Sequence, residues 1–161
     1  MPPYPINEQA FDGGKNYAFT TVKGVRYDLT LSSDADYATG YPFVESVYTL
    51  TLWPDGPVDP TDSRIKATIF QILERAFSAD PRLVINYACS DEDEQGAARD
   101  RLFKRWYASY QADYELLTLA VPYETDNEGH LITDYVGTLF RKDNPYAASI
   151  AQGFWRINRD K

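Results

Sequence analysis

Hydrophobic and polar positions begin to alternate clearly at residue 17. Tyr17, Phe19 and Thr21 alternate with Ala18 and Thr20, and Val25, Tyr27, Leu29 and Leu31 alternate with Arg26, Asp28 and Thr30. A period of two predicts strands with one buried and one wet face. Val22-Lys23-Gly24 between them makes a short turn in which glycine takes positive φ without steric cost. The two runs therefore predict a hairpin. A third strand is predicted over residues 46–53, with Tyr48, Leu50 and Leu52 on one face, before the prolines from Pro54 to Pro60 break it.

Helical spacing takes over next. Ile65, Ile69, Ile72, Leu73 and Ala76 share one helical face, and Asp59-Pro60 predicts the start: an aspartate cap, then a proline whose missing N–H costs nothing in a first turn. Asp80-Pro81 stops this helix, and the apolar run 83–88 predicts a central strand. A second helix is predicted over about 94–110, with Leu102, Phe103, Trp106, Tyr107 and Tyr110 in one arc and Arg101, Lys104 and Arg105 opposite. Residues 114–121 and 130–141 predict two strands joined across 126–129, and Asp143-Asn144-Pro145 predicts a third helix carrying Ile150, Phe154 and Ile157. Two stretches fall outside these periods. Residues 1–15, rich in Pro, Gly and polar side chains, predict a loosely held arm, and residues 32–45 a polar loop holding Tyr37, Tyr41 and Phe43. The expected fold is a single α+β domain over 16–161, in the order βββ-α-β-α-ββ-α. It has a mostly antiparallel sheet of about six strands with the helices on one face.

Size and composition agree with that reading. A chain of 161 residues is the length of one domain and buries roughly 70% of the surface its unfolded form exposes. The 13 Tyr, 8 Phe and 3 Trp supply far more aromatic surface than a disordered chain carries. One cysteine, Cys89, leaves no intramolecular disulfide, which suits a reducing compartment. The N-terminus lacks the basic-then-apolar order of a signal peptide, and no run approaches the length of a membrane helix. A cytoplasmic location with no membrane contact is the expectation. The net charge of −8 disfavours phosphate backbones and anionic bilayers as partners.

Several segments together carry a family resemblance. They are the run 83–107 (Leu-Val-Ile-Asn-Tyr-Ala-Cys-Ser-Asp-Glu-Asp-Glu-Gln-Gly-Ala-Ala-Arg-Asp-Arg-Leu-Phe-Lys-Arg-Trp-Tyr), the Tyr17-Ala-Phe-Thr-Thr stretch with Gly24 and Tyr27, residues 62–69, and Lys142-Asp-Asn-Pro145. In this order they resemble a family of small uncharacterised bacterial proteins catalogued as a domain of unknown function. The resemblance runs from about Tyr17 to Phe154 and is specific as a set of motifs. It implies a standalone domain of about this length and brings no activity, cofactor, partner or site residue with it.

Candidate chemistry concentrates where the central strand hands over to the second helix. Asp91, Glu92, Asp93 and Glu94 follow one another there, as acids do when they cap a helix and complement its dipole. Arg99 falls at the centre of the apolar arc, so it must snorkel or find a carboxylate; pairing with an acid of the preceding loop or a neighbouring strand is expected. Asp91, Asp93, Gln95 and Gly96 imitate the first half of a calcium loop, but position 12, which needs a bidentate glutamate, is Leu102. No metal site is expected, and no cofactor. Cys89 has no basic partner nearby and four carboxylates close by, so it reads as a buried small residue rather than a nucleophile. His130 is the only histidine, which excludes structural zinc, and no Gly-x-Ser-x-Gly turn presents a serine. Gly13-Gly14-Lys15 lacks the strand and hydroxyl of a phosphate loop.

These absences, with the loop aromatics, lead to a noncatalytic protein-binding or regulatory module acting through an aromatic, acidic surface. Tyr37, Tyr41 and Phe43 are its expected aromatic contacts. Arg101 and Arg105, with Lys104 between them, form a basic strip that could dock an acidic partner. Homodimerisation through an edge strand is open. The alternative reading is a small-molecule binder or a carboxylate, arginine and tyrosine enzyme sited at 89–99, around Asp91, Asp93 and Arg99.

Overall fold

Strands β1 (Asn7–Phe11), β2 (Gly14–Thr20), β3 (Arg26–Ser33), β4 (Val47–Pro54), β5 (Val84–Ser90), β6 (Tyr114–Glu124) and β7 (Leu131–Arg141) pair into one sheet in the computed structural model. Helices α1 (Ser63–Ala79), α2 (Gly96–Ala108) and α3 (Ala147–Arg159) pack against it. Residues 2–90, 96–109, 111–124, 129 and 131–159 are described, without the side chains of residues 90, 96, 98, 99, 102, 106, 123, 124 and 159. The strand order is β1-β2-β3-β4-β5-β7-β6. Every neighbouring pair is antiparallel except β4 and β5, which α1 connects, since parallel neighbours need a crossover rather than a hairpin. The α+β class and the mostly antiparallel sheet are as the sequence predicts. There are seven strands rather than about six.

The extra strand comes from the arm. The expectation that residues 1–15 are loosely held is corrected: Asn7–Phe11 pairs with β2, from Asn7 opposite Ala18 to Phe11 opposite Gly14. Every side chain of β1 is exposed, so no apolar alternation marks it in the sequence. Ahead of it Tyr4 is buried, its ring stacked on Phe19 at 6.0 Å. Its backbone N–H donates to Thr68 Oγ1 at 2.8 Å and its hydroxyl to Asp62 Oδ2 at 2.5 Å.

Both predicted helix starts shift by a few residues. α1 begins at Ser63 with Asp62 as its cap, whose Oδ1 accepts the Arg64 N–H at 2.9 Å. Asp59 instead closes a turn by accepting from Thr61 and pairs with Lys23 at 2.9 Å. These donors, Thr61 first, pull its carboxyl from 3.8 to about 2. At α3, Asn144 Oδ1 accepts the Tyr146 N–H at 2.8 Å, while Asp143 is engaged by Arg141. The Asp/Asn-Pro signals mark the turn that leads into each helix rather than the helix itself.

The helices do not share one face, which corrects that expectation. One core joins Tyr17, Phe19, Tyr27, Leu29, Leu50, Ile85 and Tyr87 of the sheet to Ile65, Ile69, Ile72 and Phe77 of α1, with Phe103 and Tyr107 of α2 against it. A second, smaller core joins Val47, Val84 and Phe140 to Ala38, Phe43 and Ile150, on the opposite face of the same strands. Val84 and Ile85 are neighbours in β5 and enter different cores, as alternation requires. The apolar run at 83–88 is thus a strand covered on both sides in its first half, which is why it does not alternate. Among the described residues no helix is long and apolar enough to cross a membrane.

Candidate functional site

On the face that carries α3, the described residues cover the sheet at one end, with the second core. Beyond the second core the register lays Asn16, Thr30 and Thr51 in one row and Ala18, Asp28 and Trp53 in the next. Asn16, Asp28, Thr30 and Thr51 are half-buried by their neighbours, whereas the Trp53 indole is 66% exposed. Asn16, Asp28 and Thr30 are mutually bonded. Thr30 Oγ1 donates to Asn16 Oδ1 at 2.8 Å, and Asn16 Nδ2 donates to Asp28 Oδ1 at 3.0 Å. Arg26 grips both Asp28 oxygens at 3.1 Å through Nε and Nη2, and its backbone N–H donates to Asp55 Oδ1 at 2.8 Å. The Arg26 guanidinium, and after it Asn16, holds the Asp28 carboxyl below its usual range. A carboxylate so committed is a poor proton acceptor, so this surface is built to recognise rather than to react.

The sequence reading missed Trp53 as a site residue, although the signal was present. Tyr48, Leu50 and Leu52 point into the first core, so the odd positions Thr49, Thr51 and Trp53 had to face the other way. A tryptophan on a wet face is the informative departure.

Of the expected aromatic contacts, none forms an open surface. Phe43 is 2% exposed and lies in the second core, and Tyr41 tilts against it at 5.4 Å. Both rings press on Gly153 of α3, where an added Cβ would sit 3.2 Å from each. Tyr37 accepts from Asn158 Nδ2 at 3.2 Å, and the Thr138 hydroxyl donates to Asn86 Oδ1 at 2.7 Å. Burial, the largest influence on it, raises the Tyr37 phenol pKa. These corrections have one cause. The far face of β4, β5 and β7 needs a cover, and the 34–46 segment supplies it together with α3.

At the junction of β5 with α2, Asp91 and Asp93 lie outside the described residues, as do His130 and the Arg99 side chain. Among the described residues, the charge that meets the core there is Asp100, 3% exposed. It accepts the Tyr87 hydroxyl at 3.3 Å and pairs with Lys104 at 2.8 Å. Tyr87 stacks on Phe103 at 4.5 Å and covers Gly137. Burial first, then the Asp100 charge, pushes the Tyr87 phenol far above its ordinary range. Asp100, Phe103 and Tyr107 are three and four apart, and that spacing could have identified the buried acid. Cys89 is buried, as expected. Arg101 and Arg105 are exposed on the outer side of α2, while the Lys104 ammonium reaches back to Asp100.

Neither the curated proteins nor the solved structures include a match to this chain. A family model does match, over residues 61–155, from just before α1 into α3. It covers more than half of the chain, including three of the segments that carried the resemblance, 62–69, 83–107 and 142–145, but not the stretch from Tyr17 to Tyr27. The chain belongs to the family of unknown function DUF6169.

Proposed function

We propose that this chain is a noncatalytic binding module that holds another protein on the open sheet face, with Trp53 as the anchor. The observation that carries the reading is the 66% exposed indole set among side chains already locked to one another. Tryptophan contributes large contact area and is enriched among residues that dominate binding energy. The ladder around it has little freedom left to lose, so a partner pays little to order it. With Asp28 opposite Trp53 and Asp55 bonded to the Arg26 backbone, the surface is aromatic and acidic. A reducing, cytoplasmic setting fits the single buried thiol.

Photo-cross-linking from position 53 in the native host identifies the partner, whose binding is then titrated with purified variants. Trp53→Ala is expected to weaken it about tenfold or more, or at least ~1.4 kcal/mol. Undiminished binding by Trp53→Ala sinks the proposal. A loss produced instead by Arg101→Glu with Arg105→Glu moves the site to the outer face of α2.

The second reading, a small-molecule site at 89–99, is favoured by one observation: Tyr87, Asp100 and Lys104 converge there. They satisfy one another, which makes them a structural clasp in the first instance. A ligand at this site would have to displace Lys104 from Asp100, and a shift of the Lys104 side-chain resonance on adding a metabolite mixture tests that.

A further inference from the structure

Strand β6 is an edge of the sheet, paired along its whole length with β7 on one side. An antiparallel strand directs both the N–H and the C=O of each residue to the same side, alternating from residue to residue. The Tyr107 hydroxyl shows which residues of β6 face away from β7. It donates to the Tyr114 carbonyl at 2.8 Å. The outward set is therefore the even positions, and it includes Thr118, Ala120 and Pro122. Tyr107 plugs one end of this edge. Pro122, which has no N–H, ends the other. Between them lies a window of two residues, Thr118 and Ala120, whose backbone groups have no partner among the described residues.

We propose that the occupant of this window is β6 of a second copy of the chain, running antiparallel with Leu119 facing Leu119 across a two-fold axis. That register places Thr118 opposite Ala120 on both sides of the axis, so all four outward N–H groups of the two windows find carbonyls. The next pair outward is Leu116 with Pro122. The Leu116 N–H meets the Pro122 carbonyl and Pro122 has no N–H to give in return, so the ladder ends there without stranding a donor. On the face opposite α1 and α2, the same register sets Leu117 against Val121, an apolar cross-strand pair beside the central leucines. The charged residues of β6, Glu115 and Glu124, fall opposite positions 123 and 114, so no carboxylate meets another. At the other edge β1 has five residues, and its Glu8 is engaged by Lys15 and Arg75. A short, charged edge is the usual protection against pairing, and a long apolar one invites it.

Residues of a non-hydrogen-bonded antiparallel pair stand about 4.5 Å apart at Cα, within disulfide reach. Leu119→Cys should therefore oxidise to a single inter-chain disulfide. Ala120→Cys, whose neighbour across the axis is Thr118, should form much less of it. Sedimentation of the unmodified chain should show the 18.4 kDa species giving way to twice that mass as concentration rises. Ala120→Pro and Leu119→Lys should each return it to the monomer with unchanged circular dichroism. If Ala120→Pro fails to fold, Leu119→Lys decides. A monomer at every concentration overturns the proposal and leaves the window to an extended segment of another protein. A dimer that survives both substitutions, or a Leu119→Cys variant that does not cross-link, overturns it equally.

Discussion

Gly137 and Tyr87 are one contact seen from two strands. Gly137 stands directly opposite Tyr87 in the β5–β7 ladder, and the phenol ring lies over its Cα. A Cβ there would come within 2.2 Å of the ring, and the ring cannot retreat because Phe103 stacks on it and Asp100 holds its hydroxyl. Gly137→Ala is therefore an overpacking change. It is expected to cost about 1–3 kcal/mol, read as a lower urea midpoint with an unchanged slope. The same substitution in a Tyr87→Leu background should cost less, because the clashing ring is gone. In the chain Gly137 looks like any glycine inside a strand pattern, which signals a close approach without saying of what.

Among the elements, α3 departs furthest from expectation, and a line of polar side chains explains how it is held. Asn158 on α3 donates to Tyr37 in the 34–46 segment, and Thr138 on β7, which acts on the Tyr37 phenol, donates to Asn86 on β5. Asn86, Thr138 and Asn158 are buried, so a broken link leaves groups that water does not reach easily. Tyr37→Phe keeps the ring and removes the hydroxyl in the middle of that line. It should cost about 1–3 kcal/mol, and hydrogen exchange should quicken in α3 before it quickens in α1. Equal loss of protection in both helices would mean that α3 is not separately tied by this line. The alternation of β2, β3 and β4 and the faces of α1 and α2 were legible because each buries one face against one partner. The cover over the second face was not. Tyr37, Tyr41 and Phe43 have no periodicity of their own, and burial of an irregular segment depends on what lies beneath it.

For the molecule as a whole, the N-terminal segment closes the sheet rather than trailing from it. Tyr4 ties β1 to α1 through Thr68 and Asp62, and the Arg64 guanidinium lies 3.9 Å over its ring. Removing residues 1–6 should lower stability by about 3 kcal/mol, the scale of losing a buried aromatic side chain. The melting temperature should fall accordingly, with Tyr4→Ala reproducing most of the drop. A truncated chain that melts with the parent would return this segment to the status of a loose arm. Local chemistry alone determined the α+β class and most of the elements, because periodicity and caps are properties of neighbours along the chain. The tertiary structure decided that α3 crosses to the far face, that Asp100 lies in the core and that Trp53 is exposed beside a polar ladder. Each of those depends on which strands lie side by side, and β7 between β5 and β6 is an adjacency that no stretch of contiguous residues encodes.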